Sequence, residues 1–491
     1  MKSNKRILSL VLACLMLVGV LATAVACGET AETPDDSKTT GDVAGTTVET
    51  ETESPYELLE KEKYDREFTI YVRYECDEDF VVENVTGDLL ADSVYERNTV
   101  VSEDYGIELV FYHKGDEYNV INEALKQQVS GGLDDYDLYM GHKYSYTNLA
   151  MNNYLYDMGK IDTMDLTSPW WDKNCYENLT VAGKTYIMTG DINPCSSMRI
   201  SSCMVYNKDL LIEMNKSVDT LNETTANGKW TLDALHNYCN DVTFDLNGDS
   251  ELNYKDDRYC ITGWMMAAPY ALYYGADGNF VTLVDGNPEL DYSDEKVTGI
   301  YEKIYRVMVE DNAYYVTDVS LYDTMFDVFH EGRALFSVLT LKLITERITD
   351  MEDAYGILPI PKYDELQEEY LSFVNGSTGL VMIAKTESDP EFVGAVMDGM
   401  AAYNYEHVTP NMFQVVTKLQ VAQDPVSAQM VDLIIRNRVF DLGYFADLAV
   451  TNLVKDKLNA KRPEIASDLK SGRLSAQRAL SKMLQNMDKF D

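Results

Sequence analysis

The sequence predicts an α/β protein built around a parallel β-sheet. Behind a polar N-terminal segment, short runs of β-forming residues alternate with helical patterns. The chain has 491 residues, of which 45% are hydrophobic and 11% aromatic, so it can bury a large core and form two or three domains. Beyond the N-terminus no stretch is long and apolar enough to cross a membrane.

The first elements follow one another as strand, helix, strand, helix, strand. Residues 68–73 alternate in polarity and are rich in β-formers, so they predict a strand, as do 107–112 and the short apolar run 136–140. Residues 92–105 and 120–129 have helical patterns. This order predicts parallel strands connected by helices.

Ligands of such sheets lie outside the carboxyl ends of the strands. Tyr74 and Glu75 follow the first predicted strand, and Gly141, His142 and Lys143 follow the third. We therefore name Glu75, His142 and Lys143 as candidate ligand-binding residues. The alternative is that they are ordinary loop residues.

The N-terminus has the pattern of an export signal. Lys2, Lys5 and Arg6 precede an apolar run over 7–25, and small residues lead directly to Cys27. A cysteine in this place predicts a lipoprotein signal peptide over 1–26, with Cys27 carrying the lipid after cleavage. Ala24 departs from the usual leucine, and the alternative is an uncleaved membrane helix.

Residues 27–63 are interpreted as a disordered acidic, Thr-rich tether. Between 29 and 55 the chain has no aromatic residue and almost no large apolar one, so it cannot bury enough surface to offset the entropy of ordering. A flexible spacer between a lipid and a folded body predicts a protein anchored to the outer face of the cytoplasmic membrane.

Charge and motifs exclude several functions. A net charge of −41 repels nucleic acid and anionic lipid. The five histidines are scattered, and the chain has no H-E-x-x-H, G-x-S-x-G or Walker motif, so we predict no enzyme and no organic cofactor. Two readings stay open as alternatives: a secreted glycoside-acting enzyme with paired carboxylates, and a surface adhesin.

Six cysteines follow the signal segment, without the C-x-x-C spacing of a zinc or redox site. Export permits disulfides, and the local candidate pairs are Cys195 with Cys203 and Cys239 with Cys260. Buried free thiols are the alternative.

A metal-loop pattern occupies residues 245–256. Oxygen-bearing side chains stand at positions 1, 3, 5, 9 and 12, and position 7 offers its carbonyl, which is EF-hand spacing. The loop resembles that of dockerin modules, although Ser250 replaces the usual glycine. It predicts a structural calcium ion; the alternative is an acidic surface loop. The candidate ligands are Asp245, Asn247, Asp249, Glu251, Asn253 and Asp256.

Seven segments between residues 135 and 361 form a recognisable series. They are D-Y-D-L-Y at 135–139, the W-W pair at 170–171, V-A-G-K-T-Y-I at 181–187, V-Y-N-K-D-L-L at 205–211, G-K-W-T-L-D-A-L at 228–235, F-H-E-G-R-A-L-F at 329–336 and Y-G-I-L-P-I-P at 355–361. Together, and in this order, they resemble characteristic passages of family 1 extracellular solute-binding proteins.

The resemblance implies a two-lobed periplasmic-binding-protein-like fold of type II, with discontinuous lobes joined by hinge strands. Lobe one would hold 64–202 and 337–377, and lobe two 205–334 and 380–491. The crossings would fall near 200–206, 335–338 and 376–384. It implies a monomer that captures a small solute, a sugar or oligosaccharide, and delivers it to the permease of an ABC importer.

The resemblance also places ligand aromatics in the second lobe. Trp264, Tyr270 and Tyr273 precede G-A-D-G at 275–278, which resembles a family segment next to the cleft. Aromatic faces cover sugar rings, so these three are candidate ligand-binding residues. The alternative is core packing, which we expect for Trp170, Trp171 and Trp230.

Overall fold

The computed structural model describes residues 54–421 and 425–490, and no side chain from 416 to 425 is included. The predicted signal peptide, Cys27 and the tether up to residue 53 lie outside the described residues. Within the described ranges, no helix is long and apolar enough to cross a membrane.

Thirteen strands and a larger number of helices make up the described chain. The strands are β1 Arg66–Tyr71, β2 Ile107–Tyr112, β3 Leu138–Gly141, β4 Ser202–Asn207, β5 Tyr259–Trp264, β6 Val281–Val284, β7 Asn287–Leu290, β8 Tyr314–Val316, β9 Ala334–Thr340, β10 Tyr355–Leu358, β11 Ser372–Phe373, β12 Leu380–Met382 and β13 Arg438–Val439. The α-helices are Asp77–Phe80, Leu89–Tyr105, Tyr118–Gly131, Lys143–Asn148, Lys173–Leu179, Pro194–Ser197, Lys208–Glu213, Val218–Ala226, Leu232–Cys239, Ala268–Gly275, Asp294–Tyr305, Thr324–His330, Leu341–Arg347, Pro390–Tyr403, Thr409–Val421, Pro425–Arg436, Leu442–Phe445, Leu453–Asn459 and Ala466–Met487.

The first lobe is built on a four-stranded sheet in the order β12-β3-β1-β2. Strand β1 runs parallel to β2 and to β3, and β12 is antiparallel to β3. Helix Leu89–Tyr105 begins at Asp88, whose carboxylate accepts two backbone amides, and ends at Gly106 with a φ of 61°. The predicted order of strand, helix, strand, helix, strand is confirmed.

The second lobe is built on a five-stranded sheet in the order β10-β4-β9-β5-β8. Strand β5 is parallel to β8 and β9, while β4 is antiparallel to β9 and β10. All seven residues of β9 are buried, because this strand lies at the centre of the sheet with helices covering it.

The two sheets correct the predicted lobe boundaries. Strands β9 and β10 pair with β4, so the predicted assignment of 337–377 to lobe one is wrong for these strands. Strand β12 pairs with β3, so 380–382 belongs to lobe one. The predicted crossing near 335–338 is also wrong, because β9 stays in one sheet from end to end.

The chain passes between the lobes at two described hinge segments, 198–202 and 374–379. Ser201 forms an isolated antiparallel bridge with Val374, which joins them. Helix Thr409–Val421 packs on helix Leu89–Tyr105 of the first lobe, and helix Pro425–Arg436 packs against β10 of the second. The predicted crossings near 200–206 and 376–384 overlap the two hinge segments only at 200–202 and 376–379, because β4 and β12 occupy much of the predicted ranges.

The folded body begins earlier than the predicted tether boundary at residue 63. Tyr56 is only 2% exposed, and its ring packs edge-on against Tyr403 at 5.2 Å. Its hydroxyl donates to Asp104 at 2.9 Å, and the Ser54 hydroxyl donates to Glu406 at 2.5 Å. Tyr56 is the first aromatic residue after the polar segment, and burying its ring offsets the entropy of ordering this stretch.

Of the two candidate cysteine pairs, one is bonded. Cys239 and Cys260 form a disulfide with a Cα–Cα distance of 5.2 Å. Cys195 and Cys203 are buried free thiols, the alternative considered for the cysteines. The tryptophans expected in the core are buried, with Trp230 fully enclosed and Trp170 and Trp171 at 6% and 3% exposure.

The buried carboxyl group of Asp398 should make the stability of the folded protein depend on pH. Its Oδ1 accepts from Nε1 of Trp170 at 2.7 Å and of Trp171 at 2.8 Å, yet burial raises its pKa from 3.8 to about 6. The folded state therefore holds this proton more tightly than the unfolded state. Its stabilising contribution is complete below about pH 4 and is lost as pH rises through about 6.

Asp398→Asn should remove the contribution of this carboxyl group to the pH dependence of the unfolding free energy. Urea unfolding of the wild type and the variant at pH 4, 5, 6 and 7 measures this contribution as the difference between their unfolding free energies. Burial also raises the pKa of Asp191 and of Glu387 to about 7, but both groups are present in the two proteins, so their effect cancels in the difference. Parallel pH profiles would contradict the assignment.

Candidate ligand-binding cleft

A cleft of about 810 Å³ lies between the lobes, over the carboxyl ends of β1, β5 and β9. Residues that follow strands of both sheets, and residues of both hinge segments, line this cleft. The lining residues are Tyr74, Glu75, Glu78, Ser196, Ile200, Trp264, Val319, Tyr322, Thr340, Lys342, Leu343, Glu346, Arg347, Asn375 and Ser377.

Three aromatic side chains line the cleft. Trp264 is the last residue of β5, and its ring meets Tyr322 edge-on at 5.2 Å with the ring planes at 89°. Tyr74 comes from the first lobe and is 48% exposed. Burial raises the pKa of Tyr322, which keeps its hydroxyl protonated as a donor. Together they offer apolar faces and hydroxyl groups from both lobes.

The carboxylates of the first lobe are held by arginines. Nη1 of Arg73 lies 2.8 Å from Oε2 of Glu75, and Nη1 of Arg199 lies 2.5 Å from Oε2 of Glu78. The Arg73 side chain is fully buried and that of Arg199 is 7% exposed, so both guanidinium groups are fixed. The carboxylates they hold have defined positions at the cleft surface.

The same arginines connect the cleft to the hinge. Nη2 of Arg73 donates to the main-chain oxygen of Ser377 at 2.5 Å. Arg199 stands in the first hinge segment, and its Nη2 donates to Oγ1 of Thr345 in the second lobe at 2.6 Å. Nζ of Lys342, also in the second lobe, lies 3.4 Å from the main-chain oxygen of Glu75. Cleft geometry and lobe orientation are therefore linked by direct contacts.

Two of the six predicted ligand-binding residues line this cleft. Trp264 and Glu75 face it from opposite lobes. Both were identified from their places at the carboxyl end of a strand or beside a family segment, and the structure brings them to one cavity.

Tyr270 and Tyr273 lie in the core instead. Tyr270 is 4% exposed, stacks on Phe373 at 5.8 Å and donates its hydroxyl to Asn452 at 2.5 Å. Tyr273 is 1% exposed and stacks on Phe280 at 4.9 Å. Both belong to helix Ala268–Gly275, which is buried on every side, so core packing is their role in this fold.

His142 and Lys143 also lie outside the cleft lining. His142 caps helix Lys143–Asn148 and stacks on Tyr118 at 4.4 Å; burial, followed by the charges of Arg73 and Lys143, lowers its pKa to about 2. Nζ of Lys143 lies 3.4 Å from Oδ1 of Asp447 and 4.0 Å from the Tyr444 ring centroid. These contacts join the first lobe to the C-terminal segment.

The sequence analysis did not identify the cleft-lining side chains that follow β9 in the second lobe. Lys342, Glu346 and Arg347 belong to helix Leu341–Arg347, directly beyond the carboxyl end of that strand. The rule that ligands lie at strand ends would have found them if β9 had been assigned to the second sheet.

The predicted calcium loop has several EF-hand-like contacts. The Asp245 carboxylate accepts from the backbone amides of Gly248 and Ser250, each at 2.7 Å, and Ser250 takes a left-handed φ of 69°. The carboxylate that closes the loop belongs to buried Asp257, which accepts from Leu246 and Asn253, while Asp256 is exposed. Among the described residues, no three His, Cys, Asp or Glu side chains converge as metal ligands.

Calcium binding by this loop stays a prediction. We expect calcium to raise the melting temperature of the wild type, and Asp245→Asn with Asp249→Asn to abolish that response. Asparagine removes the charge but keeps only one of the two oxygens with which Asp245 accepts the amides of Gly248 and Ser250, so the melting temperature of the variant with chelator is the control for the turn itself. Differential scanning calorimetry with calcium and with chelator measures it; identical wild-type curves would identify an acidic surface loop.

Comparison with known proteins identifies the fold through structures alone. No protein-family model matches the chain, and no curated protein matches it. A cyclo/maltodextrin-binding protein complexed with maltotetraose is similar with a TM-score of 0.54 at 12% identity, over 87% of this chain and 99% of that one.

Two further structures agree. An ABC substrate-binding protein from Listeria monocytogenes in complex with cycloalternan has a TM-score of 0.52 at 13% identity, over 87% of this chain and all of its own. A family 1 extracellular solute-binding protein from Bifidobacterium longum subsp. infantis has a TM-score of 0.50 at 13% identity, over 86% of this chain and all of its own. The predicted fold is confirmed: the chain has the two-lobed α/β fold of type II periplasmic solute-binding proteins.

Proposed function

We propose that this protein is an extracytoplasmic carbohydrate-binding protein that delivers its ligand to an ABC importer. The observation that carries the proposal is the cleft between the lobes, where Tyr74 and Trp264 supply aromatic surfaces from opposite sides. A sugar has apolar ring faces and a rim of hydroxyl groups, and this cleft combines aromatic rings with fixed charged and hydroxyl side chains.

The structural neighbours support the ligand class. The two with named ligands hold maltotetraose and cycloalternan, both saccharides. In our proposal the ligand is trapped as the lobes rotate about the hinge segments 198–202 and 374–379, and the permease recognises the closed form. The protein acts as a monomer in this scheme, because both walls of the cleft come from one chain.

Thermal shift over a panel of purified oligosaccharides tests the proposal. A ligand that binds only the folded state at 100 times its dissociation constant stabilises it by about 2.7 kcal/mol, which shifts the melting temperature measurably. Chromatography of the same mixtures checks for cleavage. Binding without product supports a binding protein; released product would favour the glycoside-acting enzyme, and no saccharide response would contradict the proposal.

We also propose that the protein is held at the outer face of the membrane through a lipid on Cys27. The pattern of a charged start, an apolar run and small residues before the cysteine supports it. Cys27→Ser should release the protein into the medium with an unchanged melting temperature, because Cys27 lies 27 positions before Ser54, whose hydroxyl donates to Glu406 in the folded body. Cell fractionation measures the release, with Cys14→Ser, inside the apolar run, as the matched control. Retention of the Cys27 variant in the membrane would contradict the lipid anchor.

A further inference from the structure

Every charged side chain that lines the cleft has an opposite charge beside it. Glu75 pairs with Arg73 at 2.8 Å and Glu78 with Arg199 at 2.5 Å on the first-lobe side. The charged side chains of the second lobe are paired in the same way.

In the second lobe, the two cations at the cleft are also paired. Nζ of Lys342 lies 3.7 Å from Oε1 of Glu346, one helical turn away, and Nη1 of Arg347 lies 3.3 Å from Oδ1 of Asp323. The four pairs hold four carboxylates and four cations, so the cleft and its supporting residues carry a net charge of zero. The whole chain carries −41, so this local balance differs from the rest of the molecule.

A charged ligand would gain little from such a site. On binding, the ligand would lose part of its hydration shell. The charged side chains that it would meet are already paired with opposite charges, so no new ion pair would offset the free-energy cost of desolvating the ligand. Hydroxyl groups, by contrast, can use the remaining lone pairs of a paired carboxylate and the remaining N–H groups of a paired guanidinium. The buried arginines also fix these acceptors in place, which lowers the entropy lost on binding.

We infer that the cleft selects uncharged saccharides and discriminates against uronic acids, sugar phosphates and amino sugars. This inference rests on the proposed function, and names the substrate class of the same cleft. Specificity comes from the four ion pairs, and the aromatic residues supply affinity that neutral and charged sugars share.

The first test uses matched oligosaccharides. Chitin oligomers are compared with chitosan oligomers, and methyl-esterified oligogalacturonates with free oligogalacturonates, beside a wider neutral panel, by calorimetric titration at 20 and 500 mM salt. We expect the neutral members that bind to do so roughly tenfold or more tightly than their charged counterparts, with a dissociation constant that does not change with salt. A charged member that binds at least tenfold more tightly than its neutral counterpart would overturn the inference and leave the proposed function intact. No binding by any saccharide would contradict the proposed function, and the inference with it.

The second test changes the charge balance. Asp323 is 73% exposed at its side chain, and Asp323→Asn leaves Arg347 without its carboxylate at the rim of the cleft. We expect binding of anionic oligosaccharides to improve roughly fivefold at low salt, the value of one unscreened charge at contact distance in water. Asp285→Asn, at an exposed turn outside the cleft, removes the same charge from the molecule and should change nothing. Equal effects of both variants would assign the change to net charge and overturn the role of the pair.

Discussion

Replacing Trp264 by alanine should weaken saccharide binding by roughly 30- to 1000-fold, corresponding to about 2–4 kcal/mol for a buried aromatic anchor. Trp264 lies at the carboxyl end of β5 and is braced edge-on by Tyr322. Alanine removes the flat apolar face that would cover a sugar ring. The melting temperature without ligand should change little, because the indole is only partly buried.

Titration calorimetry on the best saccharide measures the loss, and melting curves of the same samples establish that the variant is folded. Trp264→Tyr is the matched control, since it keeps an aromatic face and should recover most of the affinity. Unchanged affinity in Trp264→Ala would remove this residue from the site. Trp170→Ala should behave in the opposite way and lower the melting temperature, because its indole is buried in the first lobe.

Replacing Tyr270 by alanine should cost about 3–5 kcal/mol of unfolding free energy, the usual range for truncating a buried aromatic. The ring is 4% exposed, stacks on Phe373 and packs 5.1 Å from the Tyr444 ring centroid, so alanine leaves a cavity beside these two aromatic residues. Saccharide affinity measured on the folded fraction should stay within a few-fold of the wild type, because Tyr270 does not line the cleft.

Denaturant unfolding measures this loss, and Tyr270→Phe separates its two parts. Phenylalanine keeps the ring and removes only the hydrogen bond to Asn452, so it should cost about 1 kcal/mol. Lost affinity with a wild-type unfolding curve would return Tyr270 to the ligand site and contradict its place in the core.

The first three strands could be predicted because their information is local. Alternation of polarity over 68–73 and runs of β-forming residues over 107–112 and 136–140, with helical patterns between, indicate both the elements and their parallel order. The sheet to which β9 belongs could not be predicted in the same way. Its seven residues are buried on both faces, and a strand without an exposed polar face carries no signal for the partner it pairs with.

The residues of the candidate site also divide into those that the sequence could identify and those that it could not. Glu75 and Trp264 stand at strand ends, so a general rule about α/β sheets and the family resemblance could find them. Tyr270 and Tyr273 stand in a helix that is apolar all round, and the sequence alone does not tell a buried aromatic from one that faces a cavity. Lys342 was missed because the strand before it was placed in the wrong lobe.

Because Tyr56 packs on the first lobe, a lipid on Cys27 would hold that lobe, and not the second, at the membrane. Ser54, Tyr56 and Lys61 make their described contacts to Asp104, Tyr403 and Glu406, all in the first lobe. A lipid anchor on this side would therefore hold the first lobe as the fixed frame, and the second lobe would swing against it during each capture. Force transmitted along the chain from residue 27 would reach the first lobe at Tyr56 and not at the hinge segments, so it would not drive opening or closing.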